Sequence, residues 1–225
     1  CSPIELRHEG YCTARVAASK CTAFHSQGRY HRRMRICVFC GSSSGSRPSY
    51  TEAAVSLARA FAARKIGLVY GGANCGLMGT IADTALAAGV EVIGVMPRSL
   101  VDKEVAHTGL SQMHIVQTMH ERKAMMADFA DAFIALPGGY GTLDELCEIL
   151  TWSQLGISNK ACAVLNVDGY FDPLLALFDH AVSERFLKPV HRDILISDSD
   201  PEVVLDRILA YQPPHVAKWI ASSDR

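Results

Sequence analysis

The sequence predicts an α/β fold, a Rossmann-like doubly wound parallel sheet in a single domain, on three observations. From Met34 onward short apolar runs alternate with longer stretches of helical periodicity. The short runs are apolar on both faces, as strands covered by helices on each side of a sheet must be. Glycine clusters stand at the carboxyl ends of those runs, where open α/β sheets bind their ligands. With 225 residues, 49% of them hydrophobic and 20% charged, the chain has apolar material for one buried core.

The elements follow in order. Residues 35–40 form a compact β run ending in Gly41-Ser42-Ser43-Ser44-Gly45, and 49–65 place Ala53, Ala54, Leu57 and Phe61 at helical spacing. A strand at 66–70 closes on Gly71-Gly72, a helix runs to about Ala88 and stops at Gly89, and 90–96 make a strand ending at Pro97. The stretch 98–117 is less regular, with a short strand expected at 114–117. A helix at 119–130, a strand at 132–136 broken by Pro137, and a helix from about Thr142 to Leu155 come next. Then come a strand at 160–167, a helix at 171–186, a strand at 193–196 and a helix at 201–211. Asp200 is a good N-cap there, with Pro201 at the first helical position.

The formal net charge of −1 gives no electrostatic case for a nucleic-acid or membrane partner. It conceals an asymmetry: residues 1–33 carry six basic side chains against two acidic ones, and the remainder 16 against 21. The segment 1–33 lacks periodicity and is expected to be a disordered N-terminal extension, with an Arg-rich organelle transit peptide as the alternative. The catalytic domain is expected at 34–212, with 213–225 a tail. Cys37-Val-Phe-Cys40 lies inside an apolar strand and no second C-x-x-C accompanies it, so buried reduced thiols are expected rather than a redox or zinc motif. The nine histidines show no H-E-x-x-H spacing, so no metal is expected, and the compartment is expected to be cytoplasmic.

Three glycine loops converge on one edge of the predicted sheet: 41–45, with Gly41 and Ser42; 71–79, with Gly71 and Gly72; and 137–142. Glycine lets backbone N–H groups approach an anion, and a following helix N-terminus favours negative charge. Together they suggest a phosphate-bearing ligand, although none matches G-x-G-x-x-G or the P-loop. The run Pro137-Gly138-Gly139-Tyr140-Gly141-Thr142-Leu143-Asp144-Glu145 turns straight into a helix, with Glu145 about one turn in. Such a carboxylate is either a partner of the helix dipole or a functional group. Asp144 must point about 100° away from it. In Met119-His120-Glu121-Arg122-Lys123 the Arg-Lys pair either neutralises a phosphate or forms a solvated helix face.

These two motifs, in this order and separated by one strand, resemble the LOG ("Lonely guy") family of cytokinin riboside 5′-monophosphate phosphoribohydrolases, often mislabelled lysine decarboxylases. The resemblance runs from about Met34 to Tyr211. It takes in Gly-Gly-Ala-Asn-Cys-Gly-Leu-Met-Gly from Gly71, Thr151-Trp152, and Leu165-Asn166-Val167-Asp168-Gly169-Tyr170. The resemblance implies a Rossmann-like homodimer, a glycine loop that holds phosphate, and a catalytic pair of Arg122 and Glu145. It also implies substrate contacts at Glu104, Lys123, Gly139, Tyr140, Gly141, Thr142, Leu143, Asp144 and Thr151. The predicted helices 119–130 and 142–155 are the expected dimer surfaces. Asp144 stands where many members have glutamate, which keeps the charge.

The implied chemistry is cleavage of an N-glycosidic bond, without metal or organic cofactor. Departure of a purine leaves an oxocarbenium-like ribosyl centre that a carboxylate can stabilise or attack, or toward which it can activate water. Three rivals stand beside it. One is AMP nucleosidase activity with cytokinin nucleotides secondary. Another is a non-catalytic nucleotide or cofactor carrier, which needs no carboxylate near the sugar. The third is a lysine decarboxylase, whose pyridoxal-phosphate constellation is not legible here.

Overall fold

The computed structural model describes residues 33–101 and 106–214. The expected extension before Arg33, the end of the expected tail and Glu104 therefore lie outside the described residues.

Seven strands make one parallel sheet: β1 (Arg35–Phe39), β2 (Gly67–Tyr70), β3 (Val92–Pro97), β4 (Gln112–Val116), β5 (Ala132–Ala135), β6 (Ala161–Leu165) and β7 (Leu195–Asp198). Their order across the sheet is β4-β3-β2-β1-β5-β6-β7, and every pair is parallel. β1 and β5 are neighbours, as Ile36 beside Ala132 and Phe39 beside Ala135 show. The strand order therefore reverses between β1 and β5, and the crevice beyond their carboxyl ends is the place where a doubly wound sheet receives its ligand.

The expected α/β class holds because the inner strands are apolar on both faces and each face has its own helices. Ile36, Val38, Leu68 and Ile134 pack against α1 (Pro48–Arg64), α2 (Gly76–Ala87) and α8 (Pro201–Leu209). The alternating residues Cys37, Val69, Phe133 and Val164 pack against α4 (Met119–Phe129) and α5 (Tyr140–Gln154), with α6 (Asp172–Ser183) beside them. Leu57, Phe61, Ile81 and Phe133 are almost wholly withdrawn from solvent, each such burial contributing about 1.5–3 kcal/mol. Cys37, Cys40 and Cys162 are buried reduced thiols, as their apolar strand setting predicted.

Boundaries moved where local propensity and tertiary packing disagree. The edge strand β4 starts at Gln112 rather than 114, and its half-exposed residues break the apolar pattern that marks inner strands. A single turn, α3 (Arg98–Val101), follows β3. The helix expected from Thr142 begins at Tyr140, so glycines occupy its cap and second position and Glu145 sits in its second turn. α6 is shorter than expected: Phe171 is buried ahead of it, and Arg185, at φ 64°, turns the chain away before Phe186. Another single turn, α7 (Pro189–Arg192), uses the residues ahead of Asp193, so β7 starts at Leu195 rather than 193. Asp200 caps α8 as expected, accepting from Glu202 N at 2.8 Å.

Candidate active site

Where β1 and β5 end, the three glycine loops meet backbone to backbone. Gly41 N–H donates to Pro137 O at 3.1 Å, and Leu77 N–H donates to Gly41 O at 3.1 Å. A β-carbon at Gly41 would stand 3.3 Å from Gly138 Cα, and one at Gly76 would overlap the backbone of Ser42. The loop after β1 is thus clamped between the starts of α2 and α5. Neither helix has a side-chain cap hydrogen bond from its N-cap residue, Cys75 for α2 and Gly139 for α5. The first N–H groups of each helix have no intrahelical acceptor, but Leu77 N–H of α2 is taken by Gly41 O, so the start of α2 is partly closed and that of α5 is open.

Arg122 enters this crevice from α4. A reciprocal capping box fixes the start of that helix: Glu121 N–H donates to Thr118 Oγ1 at 3.1 Å, and Thr118 N–H donates to Glu121 Oε2 at 3.4 Å. Arg122 is 8% exposed, with Nε donating to Val95 O at 3.1 Å and Nη2 to Gly71 O at 3.3 Å. Nη1 meets Met119 Sδ at 3.6 Å, which leaves two of the five guanidinium N–H groups for a ligand. A β-carbon at Gly71 would overlap Nη2, so glycine is required there by close approach.

Glu145 lies on α5, which packs beside α4 on the same face of β1. Burial is the main influence on its carboxyl and pushes its pKa up to about 7; Arg122 and Lys123 pull it down, and Asp144 and Glu148 push it further up. Glu145 has no hydrogen-bond or ion-pair partner among the described residues. Its neighbour Asp144 is exposed and pairs with Lys123 Nζ at 3.2 Å, as the turn of the helix between them requires. Lys123 also meets Glu148 Oε2 at 3.1 Å. Burial lowers the lysine pKa, but Glu148 and Asp144 more than offset it and carry the group above its ordinary value.

The remaining expected site residues divide. Gly139, Tyr140, Gly141 and Thr142 line the start of α5, with Tyr140 94% exposed and Thr142 buried against Gly138. Leu143 faces the core under α5. Gly41, Ser42, Gly71 and Gly72 lie in the clamped loops. Thr151 is not brought to Glu145: it stands about 9 Å further along the helix, its hydroxyl donating to Cys147 O at 2.8 Å. Missing from the expected set are Val95, whose carbonyl anchors Arg122, the anchoring role of the expected Gly71, and the Thr118 cap. Only the cap has a sequence signal, the T-x-x-E spacing of Thr118 and Glu121.

This arrangement joins a fixed cation, an open helix start and a carboxyl raised to about 7 that has no hydrogen-bond or ion-pair partner among the described residues. Once ionised, that carboxyl is an acceptor and a negative charge set in low dielectric.

A family model described as "Possible lysine decarboxylase" matches residues 78–208. A protein of Oryza sativa subsp. japonica, "Probable cytokinin riboside 5'-monophosphate phosphoribohydrolase LOGL9", is 50% identical over 182 residues, covering 81% of this chain and 80% of that protein. The Arabidopsis thaliana "Cytokinin riboside 5'-monophosphate phosphoribohydrolase LOG5" is 48% identical over 182 residues, covering 81% and 80%. Among solved structures, the molybdenum cofactor carrier protein of Chlamydomonas reinhardtii superposes with a TM-score of 0.62 at 18% identity, over 80% of this chain and all of that one. The molybdenum cofactor binding protein of Rippkaea orientalis gives 0.61 at 22%, over 80% and 98%. These structural likenesses share the fold.

Proposed function

The chain belongs to the LOG family, and on that premise we propose that it hydrolyses the N-glycosidic bond of cytokinin riboside 5′-monophosphates, giving free base and ribose 5-phosphate. The carrying observation is the pairing of Arg122, held by two backbone carbonyls, with Glu145, raised to about 7, at one crevice with the open start of α5. The 5′-phosphate is taken by the N–H groups of Gly139, Tyr140, Gly141 and Thr142 together with Arg122. Glu145 acts on the ribosyl carbon, as nucleophile or through water, as the base departs. Binding energy from the phosphate, remote from the bond that breaks, positions the sugar. Lys123 orders the acidic stripe of Asp144 and Glu148.

AMP is a second substrate of the same chemistry, since the phosphate and ribose are shared and the purine differs only at N6. The decarboxylase description does not suit Lys123, whose double ion pair keeps the amine protonated and unreactive toward a carbonyl. Two copies of the chain are proposed to form the working unit, in the cytosol. Among the described residues no helix is long and apolar enough to cross a membrane.

The test is incubation with AMP, isopentenyladenosine 5′-monophosphate and the matching nucleosides, followed by chromatography for free base. Both nucleotides should be cleaved, and nucleosides lacking the phosphate should react at least about 100-fold more slowly, the equivalent of roughly 3 kcal/mol. Equal turnover of adenosine and AMP would contradict phosphate recognition, and absence of free base from either nucleotide would sink the hydrolase reading.

A further inference from the structure

The Leu165–Tyr170 motif takes no part in the chemistry above, yet it ties the first glycine loop to the third. β6 ends at Leu165, and the chain then turns through Val167–Gly169, with Asp168 at φ 51° and Gly169 at φ 71°. Asn166 holds that turn from within. Its Nδ2 donates to Asp172 Oδ1 at 2.7 Å, its Oδ1 accepts from Phe171 N at 2.8 Å, and its own N–H donates to Asp198 O at 2.7 Å. The turn is thereby fixed to β7 and to the start of α6.

Two side chains project from this fixed turn toward the two loops. Asp168 accepts a hydrogen bond from Ser49 Oγ at 2.6 Å and pairs with Arg47 at 3.5 Å, holding the start of α1 directly behind the first loop. The Tyr170 hydroxyl donates to Gly138 O at 2.6 Å, in the middle of the third loop. The Tyr170 ring also meets Tyr50 edge-on, centroids 5.8 Å apart at 77°, and Tyr50 supports Gly45, where a β-carbon would stand 2.7 Å from its ring. One turn thus reaches both loops that flank the crevice.

A trans peptide sets the carbonyl of one residue opposite the N–H of the next. With Gly138 O turned to Tyr170, Gly139 N–H faces the other way. We propose that Tyr170 is a positioning residue for phosphate recognition: its hydroxyl fixes the Gly138–Gly139 peptide so that the start of α5 presents its N–H groups to the anion. Asp168 and Tyr50 hold the facing loop at a set separation. This rests on the nucleoside monophosphate reading of the crevice.

Tyr170→Phe keeps the ring against Tyr50 and removes only the hydroxyl. KM for the nucleotide should rise about ten-fold, with kcat changed less than about three-fold and the melting temperature near that of the parent protein. Titration calorimetry in a Glu145→Gln background, where turnover is suppressed, should show the same ten-fold weakening for AMP and none for adenosine. Tyr170→Leu, which loses the ring as well, should weaken AMP further. Unchanged AMP affinity in Tyr170→Phe overturns the proposal, and so does equal weakening of AMP and adenosine, or a fall in kcat at constant KM. Should the parent protein bind AMP without cleaving it, the hydrolase reading fails while the calorimetric comparison still decides the role of Tyr170.

Discussion

Glu145 and Asp144 are adjacent in the chain and opposite in surroundings, and that contrast carries the residue-scale predictions. Glu145→Gln keeps size and hydrogen bonding but removes the charge, so kcat should fall by about 100-fold or more with AMP affinity largely kept. Asp144→Asn breaks one exposed ion pair and should cost far less, while Arg122→Ala should damage KM and kcat together. An inactive Asp144 variant beside a normal Glu145 variant would reverse the assignment. Because the carboxyl titrates near 7, kcat/KM should climb with pH through that value, and the limb should vanish in Glu145→Gln. The same shift bears on stability. The folded carboxyl holds its proton to higher pH than the unfolded one, so stability falls as pH rises from about 4.5 to about 7. Glu145→Gln should therefore be the more stable protein at pH 8, by roughly 1–3 kcal/mol, and no more stable at pH 4, as denaturant unfolding at the two pH values would reveal. Gly71→Ala tests the anchor of Arg122: its β-carbon displaces Nη2, and the variant should resemble Arg122→Ala in KM and kcat. The pair itself was legible only through its motifs. Spacing alone left Glu145 open between a dipole partner and a functional group, and the Val95 and Gly71 carbonyls that hold Arg122 carry no side-chain signature.

At the scale of elements, two caps of the same kind should separate stability from function. Thr118 caps α4 and Asp200 caps α8, each side chain accepting a hydrogen bond from a first-turn N–H. Replacement of either by alanine should cost about 1 kcal/mol in unfolding free energy. Only Thr118→Ala should also raise KM, because α4 carries Arg122 four residues on while α8 covers the opposite face of the sheet. A Thr118 variant with unaltered kinetics would mean that the two carbonyl anchors suffice without the cap. The inner strands were legible because they are apolar on both faces. β4 was misplaced because an edge strand with half-exposed residues loses that pattern. The start of α5 was placed two residues late because glycines are poor helix formers, and here the buried Thr142 and Leu146 hold the first turn in place of propensity. The single-turn helices α3 and α7 are too short to show a period at all.

For the molecule as a whole, the face bearing α4, α5 and α6 is the surface proposed for self-association. Leu143, Leu150, Met125 and Phe129 remain only partly covered, α6 has no buried residue, and Leu177 is 58% exposed. Light scattering at micromolar concentration should give about twice the chain mass of 24.4 kDa, and a value of about 24 kDa would refute the dimer. The strand order has a further consequence, for how much of the chain the proposed site needs. Everything up to β4 builds one wing of the sheet from β1 outward, and supplies two glycine loops and the carbonyls of Gly71 and Val95. Arg122 arrives only on the helix that carries the chain back across the wing, and Glu145 only once β5 has been laid against β1. The first wing alone therefore carries two of the three glycine loops but lacks Arg122, Glu145 and the Gly139–Thr142 stretch on which the proposed phosphate site depends. The proposed site is complete only with β5 laid against β1 and the start of α5 beyond it, so no fragment of the chain ending before α5 contains it.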